Sequence, residues 1–158
     1  MFQQNGEKFV NIFNDAVDAL TNHFSSLWPQ PDEKPQLVNG KLRACPGTPN
    51  CVNSESTNPM RNIAPLAFSD SSEQAWAALK LVVREQGGTV HDESNDYLWS
   101  TFTVPLFGFI DDVEFRLSTI EGVIHVRSAS RLGISDLGVN RGRVEQLRTA
   151  FQKALHPH

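Results

Sequence analysis

Two cysteines, a single tyrosine and no long apolar run are what this 158-residue chain offers least of. Without about 18 consecutive apolar residues, no transmembrane helix is expected. Two thiolates cannot complete the four-coordination of a structural zinc site, and no nearby histidine has ligand spacing, so no metal is expected. Basic residues are also in short supply. Lys and Arg number 14 against 18 Asp and Glu, for a net charge of -4, which argues against a nucleic-acid partner. The opening residues Met1-Phe-Gln-Gln-Asn-Gly-Glu-Lys8 lack a basic region followed by an apolar one, so no secretory signal is expected. The expected address is cytoplasmic, or peripheral to a membrane on its cytoplasmic side. Gly-x-Ser-x-Gly, His-Glu-x-x-His, the dinucleotide fingerprint and the phosphate-binding loop are all missing, and no cofactor is implied.

What is present suits one folded domain. Hydrophobic residues make up 39% and charged residues 20% of the chain, enough for a modest core. Charge is unevenly placed: residues 1–115 carry a balance of -8, whereas residues 116–158 carry +4. A locally basic end can attract an anion or an acidic partner even on an acidic protein, although a solvated helix face explains it equally well.

Three segments follow from periodicity and turn signals. Over residues 1–30, Phe9, Phe13, Val17, Leu20, Phe24 and Leu27 recur at helical spacing and predict an N-terminal amphipathic helix. Its polar side carries Asp15 and Asp18 rather than the Lys and Arg usual in a membrane-surface helix. Residues 31–61 form a Pro- and Asn-rich linker with a Cys loop, Cys45-Pro-Gly-Thr-Pro-Asn-Cys51. Residues 62–158 read as an α+β domain. A short strand at 63–68 is followed by a capping-box-like Asp70-Ser-Ser-Glu73 and a helix burying Trp76, Leu79 and Val83 that stops at Gly87-Gly88. Strands at 89–92, 97–104, 110–118 and 123–131 come next. A helix from Val139 buries Val144, Leu147 and Phe151. The order β-α-β-β-β-β-α predicts an antiparallel β-sheet with helices packed on one face. An apolar tip, Val104-Pro-Leu-Phe107-Gly-Phe109, falls between two of the strands.

Alternation within the strands points to a site. Val113, Phe115 and Leu117 share one face and Glu114 and Arg116 the other; His125, Arg127 and Arg131 occupy the corresponding face of the next strand. Together they make either a set of cross-strand ion pairs or an anion pocket with forked arginine donors and a titratable histidine. Downstream, Asp136, Asn140 and Arg141 lie at a strand-to-helix turn. There Asp136 serves as cap, pairs with Arg141, or gives way to a ligand at free amides. Adjacent Asp111 and Asp112 point to opposite faces and make a poor acid/base pair.

Three ordered motifs carry a family resemblance: Cys45-Pro-x-x-Pro-Asn-Cys51-Val52, Asp111-Asp112-Val-Glu114-Phe-Arg116, and Ile124-His125-Val-Arg127-Ser-Ala-Ser-Arg131 continuing through Asp136 to Asn140-Arg141. Together they resemble the domain of unknown function 1499 family, in particular a cyanobacterial or plastid-like member. Membership implies no reaction. It implies, for such a member, association with a photosynthetic (thylakoid) membrane complex.

The cysteine pair leaves three readings: a disulfide clip, which the spacing favours, a zinc site, and a catalytic dithiol. The expected function is a non-enzymatic binding or assembly module recognising an acidic protein partner or small anion through Arg116, His125, Arg127, Arg131, Asp136, Asn140 and Arg141. The alternative is an enzyme using Glu114 and His125 as acid and base in an arginine-lined pocket.

Overall fold

The computed structural model describes residues 15–16, 34–69, 71–104, 108–131 and 138–157. The expected N-terminal helix and the tip at 105–107 lie outside these residues, apart from helical Asp15 and Ala16. Eight elements follow in the order β1 (Cys51–Asn53), β2 (Leu66–Ala67), α1 (Ser72–Glu85), β3 (Thr89–Glu93), β4 (Tyr97–Thr103), β5 (Ile110–Ser118), β6 (Val123–Ser130) and α2 (Val139–Leu155). All six strands join one antiparallel sheet in the order β1-β6-β5-β4-β3, with β2 also on β6. The mixed α+β architecture is therefore the expected one. β1 adds a strand to the expected order. Only three residues long, it is too short to declare itself by alternation, and it borrows its ladder from β6 through Cys51 opposite Ala129 and Asn53 opposite Arg127.

Both helices lie on one face because their apolar stripes need cover. α1 buries Ala75, Trp76, Leu79, Val82 and Val83, while α2 buries Val144, Leu147 and Phe151. From the sheet come Leu98, Phe102, Val113, Phe115, Ile124 and Val126, all in the same cluster. This continuous apolar layer is the main source of stability, since each fully buried large side chain contributes roughly 1.5–3 kcal/mol relative to exposure. At the start of α1, Ser71 is the cap and accepts from the Gln74 amide at 3.1 Å, so a hydroxyl satisfies a first-turn donor. The helix stops where Gly87 takes a φ of 91°. Gly88 is then required by proximity, because a Cβ there would sit 2.7 Å from the Phe102 ring.

Among the described residues, no helix is long and apolar enough to cross a membrane.

Candidate functional site

The sheet face turned away from the helices carries the polar residues, and its register sets who meets whom. Glu114 lies opposite Arg127 and Arg116 opposite His125. Trp99 joins the Glu114 row from β4 and Asn53 joins it from β1. This face is not left open to water. Arg43 reaches onto it from the segment before the Cys loop, and the Arg43 carbonyl accepts a hydrogen bond from Asn53 Nδ2 at 2.8 Å. As a result Glu114 is 0% exposed, and Asp112, His125 and Arg127 are buried as well.

Glu114 is the hub. Its Oε1 accepts from the Tyr97 hydroxyl at 2.8 Å, and its Oε2 accepts from Arg127 Nη1 at 2.9 Å and from Arg43 Nη2 at 3.2 Å. A buried carboxylate is tolerable only when paired and hydrogen-bonded, and three donors satisfy that condition. Burial, followed by the charge of Glu114 and the hydrogen bond to it, pushes the Tyr97 phenol well above its ordinary value. Burial also draws the Arg127 guanidinium down, with the like charge of Arg43 adding to it and Glu114 opposing. Two guanidinium groups thus share one carboxylate. The Nε atoms of both Arg43 and Arg127 are enclosed with no hydrogen-bond partner among the described residues.

A second pairing lies beside the first. Arg131 Nε bonds Asp112 Oδ2 at 2.9 Å, and Trp99 Nε1 donates to Asp112 Oδ1 at 2.9 Å. Asp111 points to the other face, as alternation requires, and meets Arg143 at 2.6 Å, with that guanidinium 5.2 Å from the centre of the Phe102 ring.

A third grouping is built on Arg116, which grips Glu55 at 2.6 Å and lies 3.9 Å from Glu121. Burial alone would raise the Glu55 carboxyl, but the hydrogen bonds from Arg116 and the Leu42 amide, with the Arg116 charge, outweigh it and hold the group below its ordinary value. Hydrogen bonds from His125 and then Ser118 lower Glu121, with the His125 charge contributing. His125 is committed on both nitrogens: Nε2 lies 2.9 Å from Glu121 Oε2 and Nδ1 lies 3.1 Å from Ser54 Oγ. Ser54, His125 and Glu121 are the residue types of a nucleophile relay. Ser54 Oγ, however, accepts the Val126 amide hydrogen at 2.9 Å, and the neighbouring cleft is lined by Asn53, Glu55 and Ser56 rather than by Ser54. Its hydroxyl fastens β1 to β6.

Of the expected site residues, Arg116, His125, Arg127 and Arg131 are therefore brought to one sheet face but not to one pocket. Arg116, Arg127 and Arg131 each hold a different carboxylate. Asn140, fully buried at the start of α2, accepts from the Ser128 hydroxyl and donates to the Asn50 carbonyl at 3.1 Å. Exposed Arg141 holds the carbonyls of Met60 and Asn62 at 3.3 and 3.0 Å. Asp136 lies outside the described residues. The cysteines are bonded: a Cys45–Cys51 disulfide spans a Cα separation of 5.7 Å, bearing out the clip among the three readings. Arg43, Glu55, Tyr97 and Ser54 were not marked by any motif. The sole tyrosine, opening the alternating strand β4, was the one available signal. Among the described residues, no group of three or more His, Cys, Asp or Glu side chains is placed to hold a metal ion.

An antiparallel sheet with a helical layer on one side and a disulfide-clipped loop serving a buried ionic network on the other defines a small α+β domain. The profile of a family described as protein of unknown function (DUF1499) matches residues 41–151, and the chain belongs to that family. No curated protein matches it.

Proposed function

We propose that the protein is a non-enzymatic binding or assembly module that takes an acidic partner or small anion beside the arginine-rich sheet face. The observation that supports this reading is the saturation of Glu114 next to a surplus of guanidinium: one carboxylate receives Tyr97, Arg127 and Arg43. Acid/base catalysis needs a proton-carrying group within hydrogen-bond reach of a substrate. Glu114 is enclosed, and both His125 nitrogens face protein groups. Arg43, whose side chain is 28% exposed, and exposed Arg141 are among the cations that an approaching acidic group can meet. Association with a photosynthetic membrane complex on its cytoplasmic side is the setting that the family resemblance suggests, and it rests on that resemblance alone.

The test is binding of an immobilised Glu-rich peptide against a Gln-rich control. Salt-sensitive binding is expected, weakened about tenfold in Arg43→Gln/Arg141→Gln, with circular dichroism verifying the fold. Arg127 and Arg131 are unsuited to this test, because removing either strands a buried carboxylate. Undiminished binding by the folded double variant, or no preference of the wild type for the acidic peptide, overturns the reading.

A further inference from the structure

The disulfide loop and the turn after β1 enclose a cleft of about 430 Å³. Its size falls within the roughly 300–1,000 Å³ range of small-molecule sites. Cys45, Pro46 and Gly47 form part of its lining, and Ser56, Thr57, Asn58 and Arg61 another part. Two ties hold the enclosure in shape. The disulfide fixes Cys45 to β1, and Arg61 Nη2 reaches across to the Gly47 carbonyl at 3.1 Å.

The lining is unbalanced in its hydrogen-bonding capacity. Glu55 is its one carboxylate, and that charge is consumed: Oε1 takes Arg116 at 2.6 Å and Oε2 takes the Leu42 amide at 2.7 Å. Donors, by contrast, are left over. Among the described residues Lys41 Nζ has no ion-pair partner, the Thr57 hydroxyl has no hydrogen bond, and Asn58 uses its Oδ1 for the Met60 amide while its Nδ2 has no partner. Arg61 commits one Nη and keeps the rest of its fork. A polar cleft with cationic donors and a neutralised acid complements a compact ligand rich in acceptors and negatively charged.

We propose that this cleft is a binding site for a small oxyanion-bearing molecule, a phosphate or carboxylate compound, held by Lys41 and Arg61 with Thr57 and Asn58 as neutral donors. The inference rests on the reading of the domain as an anion-binding module and gives that module a small-molecule site separate from the Glu114 network. Arg61 is the group positioned for forked contact, and Lys41 supplies a point charge. The disulfide acts as a positioning element, since it fixes the Cys45 wall against which the ligand rests.

Amide NMR titration of the full chain with inorganic phosphate, and separately with succinate, tests the site. Chloride at matched ionic strength is the control. Saturable shifts confined to residues 41–47 and 53–61 are expected for at least one of the two anions. Lys41→Ala is expected to weaken the affinity about tenfold, with an unchanged spectrum elsewhere. Arg61→Lys, which keeps the charge and removes the fork, is expected to weaken it by a smaller factor, so a folding defect in a truncated Arg61 variant cannot obscure the result. Shifts centred elsewhere, affinity indifferent to Lys41→Ala, or no response to either anion overturn the cleft assignment. If the Glu-rich peptide still binds under those conditions, the broader reading stands while the cleft falls; if it does not, both fall.

Discussion

Glu114 and Arg127 stand directly opposite each other on β5 and β6 and meet at 2.9 Å, with the carboxylate wholly enclosed. Such a pair constrains the protein more than it stabilises it. Relative to a well-packed apolar pair its net contribution is small, but either member alone is very costly.

Glu114→Ala is accordingly expected to destabilise the domain by about 3–5 kcal/mol, because Arg127 is left buried beside Arg43 without its hydrogen-bonded carboxylate. Replacing both partners, as Glu114→Leu/Arg127→Met, is expected to cost less than the sum of the single variants. Urea unfolding of Glu114→Leu, Arg127→Met and the double variant checks this, and additive losses would show that the two residues are not coupled.

Tyr97 is the sole tyrosine, so tyrosinate absorbance reports on it alone. Its phenol is raised by burial and by Glu114. The folded state thus favours the neutral form, and that contribution is fully present below the ordinary phenol value of about 10 and is lost as pH rises through the raised folded value. No tyrosinate is expected through the ordinary titration range until the chain unfolds. A reversible titration near the ordinary phenol value, with the native fold intact, would refute this.

Acid acts at another place. The Glu55 carboxyl is held low in the folded protein, so its contribution is present above the unfolded value of about 4.3 and disappears as pH falls through the lowered folded value. Glu55→Gln is expected to be less stable than wild type at neutral pH, with the difference shrinking toward acid. Paired thermal melts across that window measure it, and a gap that stays constant with pH would contradict the assignment.

Removing the disulfide with Cys45→Ser/Cys51→Ser is expected to cost roughly 2–2.5 kcal/mol, the chain-entropy value for so short a loop. Hydrogen exchange is expected to quicken across residues 42–56, with β4, β5, β6 and both helices retaining protection from their own apolar core. Uniform quickening throughout the chain would make the clip a global element.

Much of this arrangement is written locally in the chain. Val113, Phe115 and Leu117 alternate with Glu114 and Arg116 strictly enough to give β5 its bounds and its two faces, and Trp76, Leu79 and Val83 give α1 its stripe. The Cys spacing favoured the bridge that forms. The fate of the polar face was not legible, because its cover is made by side chains reaching in from irregular backbone. Arg43 has no periodic context, and nothing in its neighbours says that it ends on Glu114. Glu55 belongs to a turn, yet neutralises Arg116 from far along the chain. Periodicity reports which face a residue takes; it does not report what arrives to cover that face.

The place of β6 between β5 on one side and β1 with β2 on the other carries a kinetic consequence. β4, β5 and β6 are joined by short connections and can zip sequentially, whereas β1 finds its ladder partners only across the long stretch from Cys51 to Ala129. Loop closure over that span is entropically slow, so the meander and its helices are expected to form first and β1 to dock afterwards. On that order Glu114 and Arg127 are expected to stay hydrated until β1 docks, with their desolvation on the native side of the barrier. Truncating Val52 is then expected to hasten unfolding while leaving the refolding limb of the chevron almost unmoved.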